Sequence, residues 1–273
     1  MAAAALVTTV ATTAGSLEWP VAEPRLEVSF GERTGGTIAR GVRLRSSAAT
    51  VHAAGDGEAI FVRRTSGAGS LPASLGGMVV VVHAGGLRSA YSGLTPTFDP
   101  ATNGASVAIG AQLGTMEESA GGPSLLFSLH DAPSRSAVNP ANLLPRLADA
   151  PRPVISAVRV VVATAGRYHI EVAAGGEPAA PPPYRAELLV DGREARAVTF
   201  DSLVTTESSG IALSDGETPA HVVVPARQVV RFADVALRPG ERHLTIVLSN
   251  LSGDSVVRDE VVSIGAATKE SSE

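Results

Sequence analysis

A chain of 273 residues is long enough for one large or two ordinary domains. Its 28 Gly and 18 Pro residues, with only 18% charged residues, favour turns over long charged helices, and 44% hydrophobic content excludes a disordered or collagen-like chain. A formal charge of -5 argues against a general nucleic-acid binder, and zero cysteine removes disulfides, thiolate-bound zinc, iron–sulfur clusters and thiol nucleophiles.

The first residues carry the one targeting-like signal. A short apolar run ends in small residues, and residues 1–19 read as a leader: either a truncated signal peptide with Ala14 at the cleavage position, or a disordered segment. The run lacks a basic start and is too short to span a bilayer, and no stretch of about 20 apolar residues occurs elsewhere, so no transmembrane helix is expected. Complete absence of cysteine leans toward an oxidising compartment.

Past the leader the apolar residues recur with period two, in β-branched runs broken by Gly, Pro, Asn or Asp. This predicts strands over Gly41–Leu44, Glu58–Arg63, Met78–His83, Ser89–Leu94, Ser124–Leu129, Val158–Thr164, Tyr168–Ala173, Ala186–Val190, Val229–Phe232, Leu244–Leu248 and Val256–Ile264. With at most one helical turn near Pro140–Leu144, the chain reads as all-β.

Two prolines in Leu147-Ala-Asp-Ala-Pro-Arg-Pro153 interrupt the pattern where a sheet interior would not tolerate them. The reading therefore places a first domain at residues 20–148, a linker at 149–153, a second domain at 154–265 and a disordered tail at 266–273. The second domain has short strands at spacings of roughly 8–12 residues, a Pro178–Pro183 loop, an Asp191-Gly192 hairpin turn and a Pro239-Gly240 turn. Together these suggest an immunoglobulin-like β-sandwich.

The first domain holds Gly-anchored strings in a fixed order. Val51-His-Ala53-Ala-Gly-Asp-Gly57 is followed by Gly76-Gly77 and Tyr91-Ser-Gly-Leu94, then by Val107-Ala-Ile-Gly110-Ala-Gln-Leu-Gly114 and Gly122-Pro123-Ser-Leu-Leu-Phe127. Over about residues 30–145 this order resembles the lysostaphin/LytM-type peptidoglycan metallo-endopeptidase family. The resemblance implies a LytM-like β-barrel or sandwich that, in active members, holds a catalytic zinc.

The same comparison shows what has changed. In the family's His-x-Gly-x-Asp ligand string, this chain has Ala39-Arg40-Gly41-Val42-Arg43, so the His position is Ala39 and the Asp position is Arg43. In the His-Leu-His string the two histidines become Ser124 and Leu126, the following Glu becomes Ser128, and the catalytic His of Tyr-x-His-Leu becomes Gly93. Catalytic zinc needs about three protein ligands, and Ala and Leu offer no lone pair while Arg is a permanent cation. No His-x-His occurs anywhere in the chain. The expectation is a pseudo-enzyme with no catalytic residues, no metal and no cofactor.

The remaining chemistry is electrostatic. Between residues 25 and 64 stand Arg25, Arg33, Arg40, Arg43, Arg45, Arg63 and Arg64 against Glu27, Glu32, Asp56 and Glu58. The patch reads either as a solvated strand face or as a groove in which Arg40 and Arg43 grip a carboxylate, with Tyr91, Ser124 and Ser128 supplying hydroxyls. His83 reads as structural, and a relocated metal site of His52, His83 and His130 is the competing arrangement. Gly-Pro-Ser at 122–124 is not a nucleophile elbow.

The expected function is a non-catalytic, extracytoplasmic protein, periplasmic or envelope-associated, whose partner is peptidoglycan or an envelope protein such as a cell-wall hydrolase. The alternatives are an active endopeptidase with rearranged metal ligands and a structural subunit of an envelope assembly.

Overall fold

The computed structural model describes residues 16–34, 37–64, 76–97, 104–118, 122–147, 152–174, 183–205, 211–213, 222–226, 229–251 and 253–265. Residues 1–15 of the leader, linker residues 149–151, most of the Pro178–Pro183 loop, His221 and the tail 266–273 lie outside the described residues.

The protein is all-β. The first half contains β1 (Arg25–Val28), β2 (Arg33–Thr34), β3 (Thr37–Ile38), β4 (Val42–Arg45), β5 (Thr50–His52), β6 (Gly57–Arg63), β7 (Met78–Val82), β8 (Leu87–Ser92), β9 (Leu94–Pro96), β10 (Ala105–Val107), β11 (Gln112–Met116), β12 (Leu125–Asp131) and β13 (Ser136–Val138). The second contains β14 (Ile155–Thr164), β15 (Arg167–Ala174), β16 (Arg185–Val190), β17 (Arg193–Thr199), β18 (Ser202–Thr205), β19 (Ile211–Leu213), β20 (Val222–Ala226), β21 (Val229–Ala236), β22 (Gly240–Ser249) and β23 (Ser255–Ile264). The expected helical turn is a 3-10 turn at Pro140–Asn142, where Asn139 Oδ1 accepts from the Ala141 amide at 3.1 Å.

A ten-stranded antiparallel sheet forms the frame, in the order β10-β6-β7-β8-β12-β13-β18-β19, with β4 also paired to β12 and β1 to β4. Its centre follows from alternation. Along β12, Leu125, Phe127 and Leu129 are fully buried while Leu126, Ser128 and His130 are half-buried on the other face. One edge of β12 is shared: Leu125–Phe127 pairs with β4, and Leu129–Asp131 pairs with β13. A small sheet, β5-β11-β9, accompanies the large one.

The Ser89–Leu94 run predicted as one strand is divided by Gly93, whose φ of 86° takes the chain out of β8 and into β9. Leu17 and Trp19, assigned to the leader by sequence, pack against the core, and Trp19 Nε1 donates to the Pro145 carbonyl at 2.7 Å. Apolar burial outweighs the leader composition there.

Beyond residue 153, sheets β14-β15-β21-β20 and β17-β16-β22-β23 carry buried Ile170, Val172 and Phe232 on one side and Leu188, Leu244, Ile246 and Leu248 on the other. The Asp191-Gly192 turn between β16 and β17 has both residues at positive φ, 51° and 75°, as a two-residue hairpin demands. β18 does not stay with these sheets: it pairs with β13, Ser136 opposite Val204 and Val138 opposite Ser202. The first sheet thus extends into sequence beyond the 149–153 linker.

Candidate functional site

The positions singled out by sequence meet at the junction of β4, β12 and β8. Arg43 stands directly opposite Leu126, and Leu126 is in turn opposite Ser92 on β8. Facing residues of an antiparallel pair share one side of the sheet with Cβ atoms about 4.5–5.5 Å apart, so Arg43 and Leu126 are immediate neighbours. The same face continues through Ser128 opposite Ala90 and His130 opposite Arg88. Ser124 lies just before β12 and is half-buried.

Two glycines set this geometry. Gly41 lies so close to β12 that an added Cβ would strike the Phe127 carbonyl and come within 2.7 Å of Ser128 Cβ. That close approach carries Arg40 and Arg43 onto the β12 face. Gly93 holds a left-handed backbone, and a Cβ there would meet the Ser124 carbonyl at 3.1 Å. Position 93, which the resemblance sets against a catalytic histidine, is therefore built for glycine in its backbone. Glu117 closes the floor, its amide donating to Gly93 O at 2.8 Å and its carboxylate accepting from the Gly77 amide at 3.1 Å.

Tyr91 corrects the expectation of a groove hydroxyl. It is fully buried on the opposite side of β8, packed on Phe127 with ring centroids 5.2 Å apart. Its hydroxyl accepts from the Ala54 amide at 2.8 Å and lies 2.9 Å from Ser89 Oγ. Burial pushes its pKa up to about 12, the hydrogen bonds from Ser89 and Ala54 acting the other way. Ser89 also reaches His83 Nε2 at 2.7 Å, and His83 Nδ1 lies 2.7 Å from the Asp56 carbonyl. Because that carbonyl only accepts, the proton sits on Nδ1. Ala54 N–H, the Tyr91 hydroxyl, Ser89 Oγ, the His83 ring and the Asp56 carbonyl thus form one continuous buried hydrogen-bonded chain. His83 is a structural residue.

The arginine patch divides under the same scrutiny. Arg45 is paired with Glu27 at 2.7 Å, and Arg63 donates to the Gly76 carbonyl. Arg40, Arg43 and Arg88 make no hydrogen bond or ion pair among the described residues and are exposed. His130 lies among them, and its pKa is lowered, first by burial and then by the charges of Arg40 and Arg88. Sequence reasoning missed Arg88 because it lies outside the 25–64 cluster; only strand pairing brings it to His130.

The residues present do not fit the zinc that the family resemblance implies. Ala39 and Leu126 carry no donor atom, and Arg43 holds a fixed positive charge beside Leu126. Among the described residues no group of three or more His, Asp or Glu side chains could hold a metal ion. The chain does contain one His-x-x-x-Asp spacing, His52 to Asp56, which the motif reading passes over. It lies between the end of β5 and the start of β6, where both groups are bonded within the fold: His52 Nδ1 to the Gly110 carbonyl at 2.9 Å, and Asp56 Oδ1 to the Ile109 amide at 2.7 Å. The relocated trio of His52, His83 and His130 is not brought together.

Comparison with known proteins finds a family match in the first half of the chain. The family model of peptidase family M23 matches residues 37–140. No curated protein matches the chain. Among solved structures, Csd3 of Helicobacter pylori is 23% identical with a TM-score of 0.38, over 48% of this chain and 35% of that one. The SpoIIQ–SpoIIIAH pore-forming complex is 17% identical with a TM-score of 0.39, over 49% of this chain and 94% of that one. Lysostaphin from Staphylococcus simulans is 14% identical with a TM-score of 0.38, over 90% and 91% of the two chains. The present chain thus spans about a third of the length of Csd3.

Proposed function

We propose that this chain, whose residues 37–140 match the model of peptidase family M23, is a non-catalytic cell-envelope protein that binds peptidoglycan or a protein partner during cell-wall remodelling. The carrying observation is the Arg43–Leu126 pair, a guanidinium and an aliphatic side chain side by side where the resembling peptidases hold metal ligands. Unpaired Arg40 and Arg43 offer a carboxylate two forked donors, and Ser128 lies beside Gly41 on the same face. A peptide-stem carboxylate or an acidic partner surface suits that chemistry. In this reading the peptidase-like unit spans 20–148 and the second, immunoglobulin-like unit 154–265, with β18 lent to the first unit's sheet. The protein acts outside the cytoplasm, where its wall or hydrolase partners are.

The test uses purified full-length protein. It is expected to co-sediment with cell-wall sacculi or with a partner hydrolase, to leave sacculus turbidity unchanged, and to lose binding by roughly tenfold or more on Arg43→Glu, as reversal of a charge-assisted contact requires. Near-stoichiometric zinc by elemental analysis, together with sacculus hydrolysis abolished by chelation, sinks the proposal. No binding to sacculi or hydrolase moves the assignment to a structural subunit.

A further inference from the structure

Among the described residues the outer strand β23 is the free edge of the sheet β17-β16-β22-β23. It pairs with β22 over its whole length, Gly240 opposite Ile264 through Ser249 opposite Ser255, without a bulge. A long regular edge of this kind presents an unpaired row of backbone donors and acceptors, which proteins ordinarily blunt or cover. Here the strand is also apolar where it is most open: Val257 is 56% exposed and Val261 58%.

Its sequence is self-complementary. Residues 255–263 read Ser-Val-Val-Arg-Asp-Glu-Val-Val-Ser, the same in both directions except that Arg258 and Glu260, of opposite charge, occupy mirrored places. We propose that β23 pairs with β23 of a second copy, antiparallel about a two-fold axis through Asp259, to make one continuous eight-stranded sheet. That register sets Ser255 opposite Ser263, Val256 opposite Val262, Val257 opposite Val261 and Arg258 opposite Glu260. By the symmetry of such an interface each pair forms twice.

Charge complementarity identifies the occupant. An apolar strand would leave the central Arg-Asp-Glu without opposite charges to meet, but a copy of itself meets Arg258 with Glu260 and Glu260 with Arg258. Within one chain these two side chains already touch at 2.6 Å on one side of the strand, so the dimer closes an alternating four-charge cluster. The one like-charged pair is Asp259 with its own counterpart; its carboxylate faces solvent and accepts from Thr245 Oγ1 at 2.6 Å.

The neighbouring layer supports the same docking. Edge strand β14 of the other sheet contacts β23, and a cleft between them is lined by Val158, Val160, Val162, Tyr168, Val262 and Ile264. Val161 is 40% exposed and Val162 68%. A two-fold axis normal to the sheet brings β14 toward its own copy beneath the paired β23 strands, so Val162, which faces that cleft, approaches the interface from the second layer.

Sedimentation equilibrium of the full chain across the micromolar range is the test. Wild type is expected to form a reversible dimer, and Arg258→Glu or Glu260→Arg, which oppose like charges at two places, to raise its Kd by roughly tenfold or more. Mixing the two single variants is expected to restore association as a heterodimer, and the double reversal R258E/E260R to restore the homodimer. Asp259→Asn is expected to tighten it. A monomer at all concentrations, a dimer indifferent to the single reversals, or single variants that fail to associate on mixing each overturns the proposal. Thermal melts by circular dichroism establish that the variants are folded; with Arg258 and Asp259 exposed and Glu260 half-buried, the melting temperature stays within a few degrees of wild type.

Discussion

Arg43 shows how much one side chain decides. A guanidinium about 4 Å from a divalent ion, at an effective dielectric near 20, costs about 8 kcal/mol of repulsion, more than a single remaining donor repays. The same charge makes the face attractive to a carboxylate. His130 lies close by, and its protonation is opposed by burial and by Arg40 and Arg88. Because its folded pKa is depressed, the folded state takes up this proton less readily than the unfolded chain. The associated stability is therefore full above the ordinary histidine pKa of about 6.5 and is lost as pH falls toward the folded value. His130→Gln removes that dependence. Urea midpoints of wild type and His130→Gln, compared from neutral pH downward, are expected to diverge in the variant's favour as pH drops; parallel midpoints would count against this electrostatic account.

At the scale of strands, the candidate face exists because β4 lies tightly against the first half of β12. Gly41 makes that approach possible without needing a positive φ, so its role is space rather than backbone freedom. Gly41→Ala drives a methyl into the Phe127 carbonyl and Ser128. The expected cost is about 1–3 kcal/mol, as for overpacking in a closed site. Binding through Arg43 should weaken as β4 is displaced. Gly85→Ala is the control, since nothing lies within 4 Å of its Cβ direction and only its φ of 77° is strained. It is expected to cost about 1 kcal/mol and leave binding unchanged. Chemical denaturation and sacculus pull-down of the two variants separate space from strain.

In the molecule as a whole, the two halves share structure. Besides the β13–β18 pairing, Asn139 Nδ2 donates to the Phe200 carbonyl at 2.8 Å, and the Asn139 amide donates to Asp201 O at 2.8 Å. Phe200 is 5% exposed, and its ring lies where a Cβ on Gly31 would stand. An apolar cleft of about 100 Å³ between the halves is lined by Trp19, Leu26 and Phe30 on one side and Pro183, Tyr184 and Leu251 on the other. Phe200→Ala, in the second half, should therefore destabilise the first by about 3 kcal/mol. Trp19, the one tryptophan of the chain, reports this directly: its fluorescence midpoint in guanidinium should fall together with the far-ultraviolet dichroism midpoint. A Trp19 transition unmoved by the mutation would mean that the halves unfold independently.

Strand-forming runs with strong alternation were legible from residues alone, because Met78–Val82, Leu125–Asp131 and Gly240–Ser249 bury one face or both and must therefore be apolar at regular steps. The order of the Gly-anchored strings was legible too, and through the family resemblance it set Ala39, Arg43, Ser124 and Leu126 against metal-ligand positions. Short or polar strands such as Thr50–His52, Gln112–Met116 and Arg193–Thr199 were not, because pairing with a neighbour holds them more than their own composition does. Tertiary structure alone turned Tyr91 inward to a buried hydroxyl chain, brought Arg88 beside His130, and sent β18 across to β13. Sequence by itself determined an all-β chain with a peptidase-like frame in its first half. Which hydroxyls and cations share a face was decided by register, because a strand's composition says which residues alternate but not which strand lies beside it.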